Sequence, residues 1–214
     1  MKENNVILTE TMSALLERKK YTSLRDILVT MNSADIAVLF EGLPEEKLPL
    51  LFRLLPKELA ADTFVEMEAD LQEMLIKGFS DAELKEVVDE LYVDDAVDIV
   101  EEMPANVVRR ILKQADPEMR KMINNILNYP KDSAGSIMTT EYVNLRPAMT
   151  VAEAIKHIRR TGVDKETIYT CYVTTDRLLI GQISLKTLLL SEEDSVVRDI
   201  MEQNPIYVTT TDDQ

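Results

Sequence analysis

The feature that most constrains the fold is an apolar pattern that repeats every twelve residues over the first 130 residues. In each unit the apolar positions fall at i, i+3, i+4 and i+7, which places them on one face of a short α-helix. The last column consists of Met31, Leu43, Leu55, Met67, Phe79, Leu91, Met103 and Ala115. The column three residues earlier consists of Leu28, Phe40, Phe52, Phe64, Ile76, Val88, Val100 and Leu112. The pattern predicts one helix of about two turns per unit.

The residue after each unit is usually one that starts or interrupts a helix, as Asn32, Pro44, Ser80 and Pro104 do. A helix of about two turns is marginal alone, but stacked units bury a continuous core, as in α-solenoids. We therefore predict about ten short helices between residues 12 and 127 in a superhelical stack. A helical bundle without a true repeat is the alternative interpretation.

The net charge of the chain limits which classes of molecule it can bind. The chain has a net charge of −15 at pH 7, and residues 1–130 carry −11 of it, from 26 acidic and 15 basic residues. Phosphates of nucleic acids and anionic lipid surfaces would be repelled, so we expect no nucleic-acid partner. A cation or a basic partner is favoured, although high charge can serve solubility alone.

The expected compartment follows from two absences in the sequence. No run approaches the roughly 18 apolar residues of a membrane-spanning helix, and the start, MKENNVILTE, lacks the apolar core of a signal peptide. The single cysteine, Cys171, excludes an internal disulfide and fits a reducing compartment. These features predict a soluble, cytoplasmic chain.

The acidic residues concentrate in one stretch, since no basic residue lies between Lys85 and Arg109. Asp94, Asp98 and Glu102 are spaced i, i+4, i+8 and share a helix face opposite the apolar columns, and Asp95 and Glu101 flank that face. Mg²⁺ and Ca²⁺ prefer carboxylate oxygens and water, and the spacing is not that of an EF-hand. A face that holds partly hydrated Mg²⁺ and a merely solvated acidic face are both consistent with this pattern.

The pattern changes after Tyr129-Pro130. It predicts strands over residues 142–145, 168–175 and 178–185, a helix that Thr150 caps, and a short helix from Lys186. The segment VRDIMEQNPIYVTTTD then repeats the opening theme of an Ile-Met pair, a connector and a strand. The whole is an α+β arrangement.

This second region resembles one complete CBS domain followed by the first strand of another. An acidic helical repeat followed by CBS domains resembles the cytoplasmic region of the MgtE family of magnesium channels and transporters, and NYPKDSAGSIMTTEYV is the most specific match. The resemblance implies an α-solenoid-like N domain over residues 1–130, a CBS domain over 131–195 and the start of a second CBS domain over 196–214.

The resemblance also implies function. Such a chain would sense Mg²⁺ on the cytoplasmic side of the cell membrane, close an attached transmembrane pore when Mg²⁺ is high, and form a homodimer through its CBS region. Asp94 and Asp98 match the family's Mg²⁺-contacting positions, and Gly135 is the nearest match to a backbone ligand. We add Asp95 and Glu102 as metal candidates. Partner carboxylates would come from the second CBS domain.

Two rival functions remain. Many CBS pairs bind adenine nucleotides through a G-x-x-[ST]-x-x-D pattern, but here Thr187 replaces the aspartate that follows Gly181 and Ser184. A purely scaffolding solenoid would bind no ligand. Catalysis is not expected, because His157 is predicted to be exposed, Cys171 is predicted to lie in the core, and no catalytic motif is present.

Overall fold

The computed structural model describes residues 2–163 and 165–213, with side chains from Leu8 onward. The chain forms two compact units. The first contains the residues up to Leu91 together with Asp95–Asn124, and the second contains Tyr92–Asp94 together with the residues from Asn125 onward. None of the described helices is long and apolar enough to span a bilayer.

The first unit consists of short helices joined by tight turns. They are α1 Lys2–Glu17, α2 Tyr21–Leu28, α3 Ser33–Glu41, α4 Leu48–Phe52, α5 Lys57–Val65, α6 Ala69–Gly78, α7 Asp81–Val88, α8 Val93–Glu102, α9 Ala105–Gln114 and α10 Pro117–Ile126, with a 3₁₀ turn at Glu45–Lys47. Alternate helices pack together, α3 on α5, α5 on α7, α7 on α9 and α4 on α6. This stacking of alternate helices is the solenoid that the repeat predicts.

The apolar columns form the core of this unit. Phe40, Phe52 and Phe64 are at most 5% exposed, and Phe52 packs edge-on against Phe64 with ring centroids 6.1 Å apart. No residue of the two columns named above is exposed, and only Met31 and Leu112 remain half-buried. The twelve-residue repeat is therefore confirmed as a packing repeat.

Residues between the units end one helix and start the next. The Asn32 carboxamide oxygen accepts from the backbone N–H of Asp35 at 2.8 Å, which caps α3. Ser80 and Glu83 form a reciprocal capping box on α7, and Asp116 accepts from the N–H groups of the first turn of α10. Each cap satisfies backbone donors that a helix leaves without an intrahelical acceptor.

Arg110 connects three helices of the solenoid. Its guanidinium donates to the carbonyl oxygens of Ile76 and Phe79 at the end of α6, and it lies 3.4 Å from Asp81 at the start of α7. The last carbonyls of a helix have no intrahelical donor, so a charged donor at this point stabilises the turn from α6 to α7.

The second unit contains a four-stranded sheet in the order β1-β2-β3-β4. Its elements are β1 Tyr142–Leu145, α11 Val151–Thr161, β2 Thr167–Thr175, β3 Leu178–Ser184, α12 Leu185–Leu190, α13 Val197–Ile200 and β4 Glu202–Gln203. β1 and β2 run parallel with α11 between them in sequence, and β2–β3 and β3–β4 are antiparallel. The Thr150 hydroxyl oxygen accepts from the Glu153 N–H, so the predicted cap of α11 is confirmed.

The core of this unit lies between the sheet and its helices. Val143, Leu145, Val173, Ala154 and Leu188 are among its fully buried members. Cys171 also lies there, as predicted, and burial raises the pKa of its thiol to about 11. His157, which was predicted to be exposed, is half-buried.

One predicted element is absent from the part of the chain described. A strand was expected after the second Ile-Met pair, but β4 covers only Glu202–Gln203, and residues 204–213 form no strand. The side chains of Ile206, Tyr207 and Val208 are exposed. The end of this segment makes only isolated contacts within the described residues, an antiparallel bridge between Asp213 and Ser133 and hydrogen bonds from the N–H groups of Ala134 and Gly135. A strand needs a continuous ladder of such bonds with a neighbouring strand.

We predict that Arg110→Met lowers the free energy of unfolding by about 1–3 kcal/mol, because it leaves the carbonyls of Ile76 and Phe79 without their donor. Urea unfolding followed by circular dichroism measures the loss. Arg109→Met is the matched control, since the Arg109 side chain is exposed and, within the described part of the chain, bonds only a carbonyl of its own helix. Equal losses in both variants would contradict the role of Arg110.

We predict a pH-dependent loss for Glu83→Gln. The neighbouring Arg53 guanidinium, with help from Ser80, lowers the pKa of Glu83 to about 2. A carboxyl group with a depressed pKa stabilises the fold above its unfolded pKa of about 4.3, and this contribution disappears as the pH falls towards the folded value. The variant should therefore be less stable than wild type at pH 7, and the difference should shrink between about pH 4 and pH 2.

Both partners of the Arg53–Glu83 pair are partly exposed, so we expect a difference of only about 1 kcal/mol. Thermal unfolding at several pH values measures it. Glu86→Gln provides the control, because the pair of Glu86 with Lys57 is longer, at 3.4 Å, and more exposed. A difference for Glu83→Gln that stays constant down to pH 2 would show that charge is not its cause.

Candidate metal centre

Helix α8 presents one apolar face and one acidic face. Ala96, Ile99 and Val100 are buried, whereas Asp98, Glu101 and Glu102 are exposed and Asp94 and Asp95 are half-buried. The apolar positions occupy the columns of the repeat, so Asp98, Glu101 and Glu102 point away from the core. The repeat itself thus places a row of carboxylates on the surface.

Three of the predicted metal candidates line one cleft in the first unit. Asp95, Asp98 and Glu102 of α8 lie around a space of about 280 Å³, opposite Glu66 and Glu68 from the turn between α5 and α6. The predictions from sequence did not include Glu66 and Glu68. These residues precede α8 by about 30 positions in the chain, and only the stacking of the helices brings them to it.

Asp94 belongs to the second unit instead, together with Glu141. The Glu141 carboxylate accepts from the backbone N–H of Val93 at 2.8 Å, so it caps the first residue of α8. Burial raises the pKa of Glu141, and the charge of Asp94 adds to that rise, while the hydrogen bond from Val93 opposes it. Two carboxylates therefore lie near each other at the start of α8, where the helix dipole favours negative charge.

Gly135 has a structural reason to be glycine. Its N–H donates to the carbonyl of Thr210 at 2.9 Å, and a Cβ atom there would lie 2.6 Å from the ring of Tyr129 and 2.7 Å from that carbonyl oxygen. Only a residue without a side chain fits this gap. The position is thus fixed by close packing, and its role as a backbone ligand stays a prediction.

The donor set suits a hard cation but does not form a finished coordination sphere. All the acidic candidates offer carboxylate oxygens, the ligands that Mg²⁺ accepts. Among the residues described, however, no three Asp, Glu, His or Cys side chains converge closely enough to hold an ion. Mg²⁺ commonly retains several waters, so these carboxylates fit it as ligands that act through water or together with ligands from elsewhere.

A second cleft lies where the nucleotide pattern was sought. Thr170, Gln182, Ser184, Thr187 and Glu202 line it, together with Ile183, Ile200 and Met201. The Ser184 hydroxyl caps α12 by accepting from the Thr187 N–H, and the two hydroxyl oxygens are 2.8 Å apart. The Gln182 amide donates to the Glu202 carboxylate at 2.9 Å. The cleft thus offers hydroxyl groups and one carboxylate.

Comparison with known proteins identifies the family. Models of the MgtE intracellular N domain and of the CBS domain match residues 31–132 and 134–193. A crystal structure of the cytosolic domain of the Mg²⁺ channel MgtE in complex with ATP is 30% identical, with a TM-score of 0.88, over 96% of this chain and 84% of that one. The chain belongs to the MgtE family. The resemblance recognised in the sequence is confirmed.

Relatives of this MgtE chain include two magnesium transporters. The Thermus thermophilus protein is 32% identical over 212 residues, which cover 97% of this chain and 47% of the relative. The Bacillus subtilis protein is 25% identical over 94% of this chain and 45% of its own length. The chain therefore spans about half the length of the relatives it matches. These relatives are named as transporters, and neither family model describes an enzyme.

We predict that Asp98→Asn with Glu102→Gln raises the stability of the MgtE chain when divalent cations are absent. Like charges at i, i+4 destabilise a helix by about 0.2–0.5 kcal/mol, and acidic groups near a helix C-terminus oppose its dipole. Thermal unfolding in EDTA measures the change. Glu118→Gln is the contrast, because Glu118 lies in the first turn of α10, where its charge is favourable. A destabilised double variant would contradict the repulsion.

Proposed function

We propose that this chain is the Mg²⁺-sensing region of a magnesium channel or transporter and lies on the cytoplasmic side of the membrane. The match to the MgtE intracellular N domain carries this proposal, and the names of the relatives support it. Because the chain spans about half of those relatives, we place the pore-forming helices in a further part of the same protein.

The sensing site proposed here centres on Asp94 and Asp98, with Asp95 and Glu102 beside them. The carboxylates of α8 repel other acidic surfaces when Mg²⁺ is scarce, since charges within about 10 Å interact at ordinary ionic strength. Bound Mg²⁺ would neutralise this repulsion. Further carboxylates are expected from a second CBS domain, whose start we place at residues 196–214, so the ligands would come together only in a closed state.

This arrangement can control a pore because of differential affinity. An ion shifts a conformational equilibrium only if it binds one state more tightly than the other. Ligands that meet only on closure satisfy that condition. High Mg²⁺ would therefore favour closure of the pore and reduce further entry, and low Mg²⁺ would release it.

We also propose a homodimer through the CBS region. Leu189 and Leu190 of α12 and Ile206 are large apolar side chains that are more than half exposed in the single chain. The adjacent exposed pair Leu189 and Leu190 indicates a surface that another domain or another copy covers. A dimer would let both copies close together on one pore.

We predict that Asp94→Asn with Asp98→Asn blunts the compaction that Mg²⁺ causes in the cytosolic region extended through a second CBS domain. Removing two formal charges from the ion's ligands weakens binding to the closed state. Small-angle scattering across a Mg²⁺ titration should show wild type becoming smaller, whereas the double variant should need at least about tenfold more Mg²⁺. Light scattering on the same samples reports the mass of the assembly.

The matched control is Glu41→Gln with Glu45→Gln, which removes the same charge from exposed positions outside α8. This control should titrate like wild type. If the titrations of the Asp94/Asp98 variant and of wild type superimpose, these aspartates do not bind the ion and form only a solvated acidic face. A monomer at tens of micromolar would separately refute the dimer.

Adenine-nucleotide binding is a second candidate, since a relative of this family has been crystallised in complex with ATP. In this chain the cleft around Ser184 and Thr187 would hold the ribose. Thr187 offers one neutral hydroxyl oxygen, whereas a carboxylate offers two charged oxygens that can each accept from a ribose hydroxyl. The carboxylate of Glu202 is engaged by Gln182. We therefore propose weak nucleotide binding at this cleft at most.

We predict that Thr187→Asp increases the affinity for ATP by about tenfold, because it supplies a charged acceptor for the ribose. Calorimetric titration with ATP and with 2′,3′-dideoxy-ATP separates ribose recognition from phosphate recognition. Thr187→Asn, which has the same shape without the charge, is the control. An unchanged affinity for Thr187→Asp would exclude this cleft as the ribose site.

A further inference from the structure

A basic face stands out on α11 in this otherwise acidic protein. Lys156, Arg159 and Arg160 are exposed on the helix, and Arg146 from the loop before it lines the same open cleft of about 720 Å³. Within the described residues, none of these four side chains is in an ion pair with a carboxylate. We call these four residues the basic face.

Local helix electrostatics explain only part of the basic face. Arg159 and Arg160 lie in the last turn of α11, where positive charge complements the helix dipole. Lys156 lies earlier in the helix and Arg146 lies outside it, so neither gains from that effect. The acidic residue nearest in the helix, Glu153, lines the same cleft, but its carboxylate accepts from the Thr150 N–H at 3.0 Å and so caps the start of α11.

The complementary surface is the end of α8. Asp98, Glu101 and Glu102, here called the acidic face, are exposed and spaced i, i+3, i+4. Lys156, Arg159 and Arg160 have the same i, i+3, i+4 spacing. Two helices that lie side by side can therefore bring these charges into register, since equal spacing in sequence gives equal spacing along a helix.

We propose that the acidic face of one copy docks on the basic face of a second copy. An anionic bilayer is a poorer occupant, because the chain as a whole carries a net charge of −15 and would be repelled. A small free anion is also poorer, since the cleft is open and its cations are exposed. A second copy offers exposed carboxylates at the matching spacing, on a helix whose sequence contains no basic residue.

The contact is weak and sensitive to salt, because each exposed ion pair contributes little and is screened at high ionic strength. One consequence rests on the proposed function. Mg²⁺ and the basic face would compete for the same carboxylates, so the basic face neutralises α8 when Mg²⁺ is scarce. The carboxylates of α8 would then be neutralised by the basic face when Mg²⁺ is scarce and by Mg²⁺ when it is abundant.

Cross-linking between isotopically distinct copies tests the docking. The full chain is prepared in ¹⁴N and ¹⁵N forms, mixed at low salt without divalent cations, and treated with a carbodiimide, which joins an amine directly to a carboxylate. We expect mixed-isotope peptides that join Lys156 to Asp98, Glu101 or Glu102, and their loss at about 0.5 M NaCl. Cross-links confined to single-isotope peptides would overturn the proposal, because they would place the contact within one copy.

Charge reversal provides the decisive control. Arg159→Glu with Arg160→Glu, and separately Glu101→Arg with Glu102→Arg, should each reduce the mixed-isotope cross-link at least about tenfold. Mixing the two variants should restore it, since the unchanged acidic face of the first meets the unchanged basic face of the second. Failure to restore it, with both variants folded by circular dichroism, would overturn the proposal.

Matched variants exclude a general effect of charge. Lys186→Glu with Arg198→Glu, and Glu41→Arg with Glu45→Arg, reverse two exposed charges away from both faces and should cross-link like wild type. A loss in these variants equal to that in the face variants would also overturn the docking.

Added Mg²⁺ should suppress the wild-type cross-link at constant ionic strength. Persistence in Mg²⁺ would overturn the competition alone, and the scattering titration of Asp94 and Asp98 tests the sensing site independently.

Discussion

Burial of one apolar stripe in every twelve residues is the interaction on which the first unit depends. Its helices from α2 onward have at most ten residues, too few to be stable alone in water. Each helix becomes stable only against its neighbours in the stack, as the buried Phe40, Phe52 and Phe64 show. The core uses four positions in each twelve-residue repeat, so the remaining surface positions can carry charge.

Because surface positions are not constrained by the core, the fold tolerates the acidic face of α8. Its exposed carboxylates repel one another, and the two at its end oppose the helix dipole. These costs are a few tenths of a kcal/mol each, whereas burying a side chain such as Ile99 or Val100 contributes about 1.5–3 kcal/mol. The apolar face therefore holds the helix in place while its acidic face stays electrostatically unfavourable, which is the condition that a cation or a basic surface relieves.

Local and periodic features were predictable from the sequence, and contacts between distant segments were not. The columns of the repeat, the Thr150 cap and the buried Cys171 follow from spacing and residue type, and the structure confirms them. The pairing of Glu66 and Glu68 with α8, and of Glu141 with Val93, depends on contacts across about 30 and 48 positions in the chain. The strand expected after Met201 failed for a related reason, because strands need a partner that sequence alone does not supply.

The carboxylates of α8 are divided between the two units, and this division bears on how a Mg²⁺ site on the helix could transmit a signal. Asp95, Asp98 and Glu102 line a cleft of the first unit, whereas Asp94 groups with Glu141 in the second. An ion held entirely within one unit would stabilise that unit but would not favour any arrangement of the two, since its affinity would be the same in each. An ion with some of its ligands outside that unit would favour only the arrangement that assembles them. The proposed sensing role therefore needs more than the carboxylates of α8, which is why that proposal draws its further ligands from a second CBS domain.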